Sequence, residues 1–589
     1  MKAESKPLLD PQTQRNVDAW VNGNFDSKTQ DEIRQLLKND PQQLSDAFYT
    51  TLSFGTGGLR GLIGVGCNRI NQYTVRFATQ GLANYIKKHA PDKPSVVIGY
   101  DSRHRSQEFA EEASRVLAGN GIEVHLFSEL RSTPLVSFAC RHLNATAAIV
   151  ITASHNPPEY NGYKAYWSDG AQVIPPHDQG IIDEVNKIES PGDVSLVDLP
   201  HNLVHLINHE IDQAYLDATE KLQHYPMENK KSGKELKIVY TSLHGTGITI
   251  VPSILERWGF ASVSLVEEQS KPDGRFPTVK APNPEDHDAM AMGVEQMKHE
   301  QADLLIGTDP DNDRVGAVVM HEGEPIYLNG NQIACLCLHH ICEAHAKHQS
   351  MPKKAAFVKT IVTSELFRAI AEDHNCPCFD VLTGFKYIAE LIREWEEGKK
   401  GAYQYVFGGE ESYGYLLGTH ARDKDGAISC ALICEAALAA KLRGRTLLDE
   451  LHRIYEKYGV YRESLINIKF PETKDGREKM RVTMEKLRAD PPKVIGGKAV
   501  SVFEDYLTSN RRDLGSGEVK DIDLPNSNVL IFHLEDQSKI AVRPSGTEPK
   551  VKVYFGLRED VAVGDVEGAI ERCQVKVERL EKEMGSILG

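Results

Sequence analysis

Short apolar runs alternate with amphipathic segments along most of the chain, and this order predicts strands alternating with helices. Residues 147–152 form an uninterrupted apolar run, which is typical of a strand buried on both faces of a sheet. Similar predicted strands lie at 95–99, 122–127, 236–240, 303–307, 355–358 and 403–407. Strands that alternate with helices in this way favour layered α/β domains.

The two ends of the chain depart from this pattern. Residues 1–50 have the apolar spacing of helices, and a long amphipathic helix is predicted at 566–584. Meander strands are predicted at 529–534, 538–542 and 551–555. The fold class that follows is α/β, with three tandem α/β domains that have mixed sheets and a C-terminal α+β domain. The predicted domains are 1–205, 206–325, 326–460 and 461–589.

Composition and charge narrow the classes of partner. The chain has 589 residues, enough for roughly four domains of about 150 residues. Its net charge of -16 and the lack of a basic run predict no nucleic-acid partner, and an anionic substrate would need positive charge concentrated locally. We see no signal peptide, and the most apolar helical stretch, 427–442, is shorter than the ~20 residues of a membrane span. We therefore expect a cytoplasmic protein without a membrane partner.

The cysteines predict buried thiols in a reducing compartment, because the ten of them have no framework spacing. One cluster raises zinc as an alternative, but its spacing matches no standard pattern of paired ligands, and residues 332–347 are predicted to form a single helix. The cluster consists of Cys335, Cys337, His339, His340, Cys342, His345 and His348.

The strongest local motif is TASHNP at 152–157. It places Ser154 in a tight loop at the C-terminal end of a buried strand, the edge of an open α/β sheet where ligands bind. Taken alone, a capping serine in a turn explains the motif equally well.

The second motif is DPDNDR at 309–314. Alternate residues of an extended segment point to one side, so Asp309, Asp311 and Asp313 converge and repel each other unless a cation lies between them. Hard oxygen ligands of this kind suit Mg²⁺. A calcium-binding EF-hand loop is excluded because Arg314 and Met320 stand where it needs glycine and glutamate. A plain acidic turn is the alternative.

Three further loops carry polar side chains. RPSGTEPK at 543–550 combines an arginine, two hydroxyls and a glycine, which together suit a phosphate. GEES at 409–412 follows a predicted strand and offers an acceptor and a donor for sugar hydroxyls, although the motif is weak alone. RDKDG at 422–426 is a charged loop, and its side chains either form a cationic surface near the sugar loop or are simply exposed to solvent.

These motifs, in this order, resemble the α-D-phosphohexomutases, and the resemblance extends from about Phe54 to Phe555. The extended N terminus and the sequence FGTGGLRG at 54–61 resemble the longer, phosphoglucomutase-2-like branch of that family. The resemblance implies four domains around a central cleft, each supplying one loop. It also implies a phosphate carried by Ser154, and Mg²⁺ held by Asp309, Asp311, Asp313 and an oxygen of the phosphorylated Ser154.

The resemblance further implies exchange of phosphate between C1 and C6 of a hexose, with glucose 1,6-bisphosphate as intermediate and activator. Glucose phosphates are favoured over mannose phosphates because Tyr413, Gly414 and Tyr415 follow the sugar loop, where bacterial dual-specificity members tend to have histidine. Mannose and ribose phosphates stay open as substrates. A phosphatase or bisphosphate synthase, and a non-catalytic binding protein, are the competing classes, and the oligomeric state is open.

The resemblance assigns the remaining side chains residue by residue. His155, Lys164 and Lys424 are candidates for proton transfer, and a lysine buried near other cations is expected to have a lowered pKa. Arg60 and Arg103 are expected to stabilise charge near the transferring phosphate. The substrate-binding residues expected are Arg314, Lys386, Glu410, Ser412, Lys424, Arg543, Ser545, Gly546 and Thr547.

Overall fold

The computed structural model describes residues 9–55, 57–90, 92–471, 473–545 and 549–588. The elements up to residue 207 are α1 (Pro11–Asn22), α2 (Ser27–Asn39), α3 (Pro41–Phe48), β1 (Gly58–Leu62), α4 (Gln72–His89), β2 (Ser95–Tyr100), α5 (Ser106–Gly119), β3 (Glu123–Phe127), α6 (Thr133–His142), β4 (Ala147–Ile151), β5 (Tyr160–Trp167), α7 (His177–Val185) and β6 (Val204–Ile207). The next group is α8 (His209–Thr219), α9 (Pro226–Ser232), β7 (Ile238–Thr241), α10 (Val251–Arg257), β8 (Val263–Leu265), α11 (Glu267–Ser270), α12 (His287–Glu300), β9 (Leu304–Thr308), β10 (Val315–His321) and β11 (Glu324–Leu328).

The elements of the remaining chain begin with a long helix and end with another. They are α13 (Gly330–His348), β12 (Ala355–Thr360), α14 (Glu365–Asp373), β13 (Cys378–Val381), α15 (Phe385–Glu396), β14 (Gln404–Glu410), β15 (Gly414–Leu417), α16 (Gly426–Lys441), α17 (Leu447–Tyr458), β16 (Val460–Lys469), α18 (Lys474–Ala489), β17 (Val494–Ile495), β18 (Lys498–Asp505), β19 (Asn510–Asp513), β20 (Val519–Asp521), β21 (Leu530–Leu534), β22 (Lys539–Pro544), β23 (Lys550–Glu559) and α19 (Val566–Leu588).

The sheets confirm the predicted fold class. The first has the strand order β1-β5-β4-β2-β3-β6, and within it β5 runs antiparallel to both of its neighbours. The second, β11-β10-β9-β7-β8, pairs β9 parallel to β7 and antiparallel to β10. In the third, β12 lies parallel to β13 and β14. The last is antiparallel, with the order β16-β23-β22-β21-β18-β19-β20. Mixed α/β layers are thus followed by an α+β region.

The chain folds into two compact units. The first comprises the described residues of Met1–Tyr327, Ala389–Glu394 and Gly414–Leu438. The second comprises those of Leu328–Ile388, Trp395–Tyr413 and Ala439–Gly589. The charged loop at 422–426 therefore belongs to the first unit, together with the serine loop and the acidic loop.

The helices α13 and α16 both contain buried polar side chains. The predicted cysteine-rich helix is the single helix α13, and the ten cysteines of the chain are free and buried. In α16, the buried carboxylate of Glu435 accepts hydrogen bonds from the backbone N–H groups of His224 and Tyr225 and from the Asn229 amide. Among the described residues, no helix combines the length and apolar character needed to cross a bilayer.

Glu463 on β16 gives the second unit a pH-dependent stability. Its Oε1 atom is buried and has no hydrogen-bond partner among the described residues, and burial raises the pKa of this carboxyl to about 7. The ordinary value is 4.5, so the folded protein binds a proton that the unfolded chain releases between those two values. The cost of ionising Glu463 is therefore fully present above pH 7 and absent below about pH 4.5.

Glu463→Gln is expected to stabilise the protein at pH 8 by about 2 kcal/mol and to leave its stability at pH 5 almost unchanged. Melting temperatures of the two proteins at both pH values test this. Glu456→Gln, at an exposed position on α17, is the matched control and should give no pH-dependent gain. An equal gain from Glu463→Gln at both pH values would contradict the expectation.

Candidate active site

The serine loop is held in a strained conformation by a chain of hydrogen bonds. Ser154 follows β4 with φ of 52°, a left-handed value that non-glycine residues seldom adopt. Its backbone N–H donates to the Thr152 Oγ1 at 2.8 Å, and that hydroxyl donates to the Asp101 Oδ2 at 2.6 Å. Both partners are buried. The network fixes the direction of the Ser154 hydroxyl.

Arg103 supports this loop from within the protein. Its fully buried guanidinium donates hydrogen bonds to the backbone carbonyls of Ser154, Asn156, Pro157 and Tyr160. Both of its terminal nitrogens are therefore engaged with the loop backbone. The sequence predicts that Arg103 stabilises charge on the transferring phosphate, and the structure shows in addition that its guanidinium supports the backbone of the serine loop.

The acidic triad of Asp309, Asp311 and Asp313 follows β9 and meets the serine loop. The Ser154 hydroxyl donates to the Asp309 Oδ2 at 2.8 Å. All three carboxylates are at most 2% exposed, and one oxygen from each lies within 4.8 Å of the others. The predicted convergence of the three side chains is confirmed.

The electrostatics of the acidic triad fit a hard divalent cation. Burial, reinforced by the Asp311 and Asp313 carboxylates, raises the pKa of Asp309 well above its ordinary value. The Oδ1 atoms of Asp311 and Asp313 are buried, and no group in the described part of the chain donates a hydrogen bond to them. Clustered carboxylate oxygens that are dry and unpaired are the donor set that Mg²⁺ takes in proteins.

Two lysines supply positive charge to the acidic triad. Lys164 Nζ lies 2.7 Å from the Asp311 Oδ2 and 3.3 Å from the Asp313 Oδ2, and Lys424 Nζ lies 3.2 Å from the latter. Burial lowers the pKa of Lys164, but the two facing carboxylates outweigh it, so the net shift is upward. The expectation of a lowered pKa was wrong because carboxylates, and not other cations, are its nearest charges.

His155 lies against the Ser154 hydroxyl, with its Nδ1 at 3.2 Å from the Ser154 Oγ. Burial, together with the charges of Arg314 and Arg60, holds the pKa of His155 well below its usual range. The ring is therefore neutral at physiological pH. In the neutral ring, the tautomer decides whether Nδ1 donates to the Ser154 Oγ or accepts from it.

Arg60 reaches the serine loop from the glycine-rich segment. Its Nη1 donates to the Asn156 Oδ1 at 3.0 Å. The neighbouring Gly58 has φ of +138°, and a Cβ there would lie 1.7 Å from the Tyr163 carbonyl oxygen, so only glycine allows β1 to pass this close to β5. Arg60 also lines a cavity of about 210 Å³ with Lys164. Arg60, which the sequence analysis expected near the transferring phosphate, thus lies beside the serine loop.

Arg314, predicted to bind substrate, lies at the edge of the acidic loop. Its backbone N–H donates to the Asp309 Oδ1 at 3.1 Å, and its guanidinium forms an ion pair with Glu285. These contacts hold the guanidinium close to the acidic triad.

Sequence reasoning missed several side chains of the first unit. Thr133, the first residue of α6, donates its hydroxyl to the Asp311 Oδ2 at 2.8 Å. Tyr166 donates to the Asp423 Oδ2 at 2.8 Å, and strand alternation from Lys164 was the signal that would have found it. The loop LHGTG at 243–247 has no chemistry assigned from the sequence. A Cβ on Gly247 would lie 2.2 Å from the Tyr240 hydroxyl, so glycine allows this loop to pack.

The predicted sugar and phosphate loops lie in the second unit. The Glu410 Oε1 accepts a hydrogen bond from the Gly384 N–H at 2.8 Å. Tyr554 interacts with a residue of each loop: burial and the Glu411 carboxylate raise its pKa to about 12, while the charge of Arg543 and a hydrogen bond with it act in the opposite direction. The structure therefore brings part of each loop to Tyr554.

The remaining predicted substrate-binding residues of the second unit lie on three further segments. Lys386 Nζ lies 5.2 Å from the centre of the Tyr387 ring. Ser412 follows β14, and Ser545 follows β22 with its backbone N–H donating to the Lys550 carbonyl at 2.8 Å. Gly546 and Thr547 lie outside the described residues.

Comparison with known proteins identifies the family. Consecutive parts of the chain match domains of one family described as phosphoglucomutase/phosphomannomutase: alpha/beta/alpha domain I at 51–192, domain II at 213–323, domain III at 329–458 and the C-terminal domain at 465–572. The chain belongs to the phosphoglucomutase/phosphomannomutase family.

Curated relatives extend this similarity over nearly the whole chain. A phosphoglucomutase of Staphylococcus aureus (strain USA300) is 39% identical over 542 residues, covering 90% of this chain and 95% of the relative. A phosphoglucomutase of Staphylococcus haemolyticus is 38% identical over 519 residues, covering 87% of this chain and 91% of the relative. The phosphoglucomutase/phosphomannomutase family is one of enzymes that transfer phosphate within a sugar, and this protein is such an enzyme.

Solved structures show the same fold at lower identity. Parafusin, a phosphoglucomutase from Paramecium in an open form, gives a TM-score of 0.68 at 18% identity, covering 91% of this chain and 96% of its own. A protein described as a putative phosphomannomutase from Thermus thermophilus gives a TM-score of 0.64 at 22% identity, covering 90% of this chain and 99% of its own. These two comparisons show that the chain shares the fold of both neighbours.

Proposed function

We propose that the protein is a phosphoglucomutase that interconverts glucose 1-phosphate and glucose 6-phosphate through phosphorylated Ser154. The observation that carries this is the Ser154 hydroxyl, held 2.8 Å from Asp309 at the mouth of an acidic triad with two lysines around it. Phosphoryl transfer requires positioning and charge neutralisation more than it requires other covalent chemistry. A fixed hydroxyl, a cation site and nearby positive side chains meet that requirement.

The proposed reaction has two balanced transfers. In the first, the bond from phosphorus to the Ser154 Oγ breaks and a bond to the sugar O6 forms, while the proton of the O6 hydroxyl passes to a proton-carrying side chain of the site. The product is glucose 1,6-bisphosphate, which must turn round. In the second, the bond from phosphorus to O1 breaks, the Ser154 Oγ recovers the phosphoryl group, and a proton returns to O1.

The acidic triad is the proposed Mg²⁺ site, completed by an oxygen of phosphorylated Ser154. A bound magnesium ion neutralises charge on the phosphoryl oxygens and makes the serine oxygen a better leaving group. Asp309 also orients the Ser154 hydroxyl directly, through the 2.8 Å hydrogen bond. Thr133 helps to fix the Asp311 carboxylate, because its hydroxyl donates to the Asp311 Oδ2, the same oxygen that Lys164 contacts.

His155, Lys164 and Lys424 are the side chains proposed to move the proton. His155 is neutral and 3.2 Å from the Ser154 Oγ, and the ammonium groups of Lys164 and Lys424 both lie within 3.3 Å of an oxygen of Asp313. Arg60 and Arg103 are both proposed to stabilise charge on the transferring phosphate, and Arg103 also hydrogen-bonds to the backbone of the serine loop.

The second unit is proposed to recognise the sugar and its distal phosphate. Glu410 and Ser412 would bind the sugar hydroxyls, since a carboxylate accepts hydrogen bonds and a serine hydroxyl can donate them. The proposed phosphate ligands are Arg543, Ser545, Gly546 and Thr547, and Lys386 and Arg314 are further proposed substrate contacts. We also propose domain boundaries at about 205, 325 and 460, so that each domain contributes one of these loops. The cytoplasmic location stays a prediction.

A side-by-side substrate assay tests the proposal. The purified enzyme, with Mg²⁺ and catalytic glucose 1,6-bisphosphate, is offered glucose 1-phosphate, mannose 1-phosphate and ribose 1-phosphate in coupled assays. We expect glucose 1-phosphate to have the highest kcat/KM, by about tenfold or more, a ratio that polar contacts to one hydroxyl can supply.

Two results would contradict the proposal. If mannose 1-phosphate or ribose 1-phosphate were turned over faster than glucose 1-phosphate, the protein would still be a mutase, but glucose phosphate would not be its preferred substrate. Accumulation of free phosphate or bisphosphate without isomerised product would replace the mutase by a phosphatase or a bisphosphate synthase.

A further inference from the structure

Strand β5 presents two functional side chains on one face. Residues two apart on a strand point to the same side of the sheet, so Lys164 and Tyr166 lie on the same face. Lys164 reaches the acidic triad from this face, with its Nζ 2.7 Å from the Asp311 Oδ2. Tyr166, two residues further along the strand, is fully buried and contacts a different partner.

The partner of Tyr166 is the carboxylate of Asp423, which precedes Lys424. The Tyr166 hydroxyl donates to the Asp423 Oδ2 at 2.8 Å, and Asp423 is only 5% exposed. The other oxygen, Oδ1, accepts hydrogen bonds from the backbone N–H of Lys424 at 2.8 Å and from its Nζ at 3.1 Å. The carboxylate thus joins the tyrosine hydroxyl to the lysine ammonium.

The Lys424 side chain is confined on its other sides. Its Nζ lies 3.2 Å from the Asp313 Oδ2 of the acidic triad. A Cβ on Gly414 would lie 2.0 Å from the Lys424 Cδ, so the aliphatic stem runs directly across that glycine. The loop itself is anchored next to the acidic triad, because the Gly426 N–H donates to the Asn312 carbonyl at 3.0 Å.

We propose that Tyr166 is a positioning residue for the phosphoryl transfer: its hydroxyl fixes the Asp423 carboxylate, which fixes the Lys424 ammonium at the acidic triad. This inference rests on the proposed function and adds to it a residue that acts through Lys424. Among the described residues, the Tyr166 hydroxyl bonds to Asp423 and to no member of the acidic triad, so its effect is transmitted by the Asp423 carboxylate.

The chemistry of the contact explains why the hydroxyl matters. Burial, together with the Asp423 carboxylate, raises the pKa of Tyr166 well above its ordinary value, so the phenol keeps its proton and remains a donor. Without that donor, one oxygen of a buried carboxylate is unpaired, which is unfavourable in a dry interior. Asp423 is then expected to rotate, and this rotation releases the Lys424 ammonium from its place.

The test uses the full-length enzyme with Tyr166→Phe, which removes one oxygen atom and keeps the ring. Tyr163→Phe is the matched control, because Tyr163 lies on the same strand, is equally buried, and has its hydroxyl 3.4 Å from the Thr79 hydroxyl. Two quantities are measured: kcat and KM for glucose 1-phosphate, and the rate at which acetic anhydride labels individual lysines, resolved by peptide mass spectrometry.

We expect Tyr166→Phe to lower kcat by roughly tenfold or more with KM changed by less than about threefold, as befits the loss of a hydrogen bond to a charged group. Labelling of Lys424 should rise at least about threefold while labelling of Lys164 stays within about twofold, since only Lys424 is released. Tyr163→Phe should match the wild type in both measurements.

Several outcomes would overturn the inference. They are an unchanged kcat, an unchanged labelling rate at Lys424, or an equal rise in labelling at Lys164 and Lys424, which would mean a general loosening of the fold. Failure of the proposed function shows differently, as a wild-type enzyme without mutase turnover, and in that case the lysine labelling still decides whether Tyr166 positions Lys424.

Discussion

Replacing Ser154 by alanine is expected to abolish mutase turnover, lowering kcat by at least about 10⁴-fold. The serine oxygen is the group proposed to carry the phosphate, and the nearby hydroxyl of Thr152 is already engaged, since it donates to the Asp101 Oδ2 at 2.6 Å. The coupled assay with glucose 1-phosphate measures this directly. The fold should be retained, because alanine keeps the Thr152 hydrogen bond to the backbone N–H of residue 154.

The control for this substitution is Ser114→Ala. Ser114 is a buried serine on α5 whose hydroxyl donates to the Ala110 carbonyl of the same helix. It should retain full activity, which would separate loss of the nucleophile from loss of a buried hydroxyl. Turnover of Ser154→Ala within tenfold of the wild type would show that the phosphate does not pass through this residue.

Replacing Asp309 by asparagine is expected to lower Mg²⁺ affinity by at least about 100-fold, since even the loss of a group that only supports a metal ligand costs 10- to 100-fold. The substitution keeps the shape of the side chain and removes one of three convergent negative charges. Isothermal titration calorimetry with Mg²⁺ measures the affinity independently of turnover. Activity at saturating glucose 1-phosphate should fall in parallel.

Asp18→Asn serves as the matched control for charge. Asp18 is exposed on α1, and its loss changes the net charge of the protein by the same amount. It should leave Mg²⁺ affinity unchanged. Retention of wild-type affinity by Asp309→Asn would move the metal site away from the acidic triad.

The fold and the position of the reactive loops were predictable because their determinants are local. A short apolar run such as 147–152 is typical of a buried strand, and the turn after it brings Ser154 to the edge of the sheet. The alternate spacing of Asp309, Asp311 and Asp313 likewise forces their carboxylates together. Their burial and the 2.8 Å contact from Ser154 to Asp309 agree with that expectation.

The contacts made across long sequence separations were not predictable in the same way. Lys164 meets Asp311 from 147 residues away, and without that pairing its nearest charges, and hence the direction of its pKa shift, were assigned wrongly. The task of Arg103 depends on four carbonyl groups that only the folded serine loop brings together. Strand alternation could have placed Tyr166 on the same face as Lys164, but its partner Asp423, 257 residues further along, was not predictable.

The central claim is that Ser154 carries the phosphate during turnover. The most direct measurement incubates the enzyme with radiolabelled glucose 1,6-bisphosphate, locates the labelled phosphate by peptide mapping, and then adds unlabelled glucose 1-phosphate. We predict that the label lies on Ser154 and passes to the sugar when glucose 1-phosphate is added. Label on another residue, or label that stays on Ser154 throughout turnover, would contradict the claim.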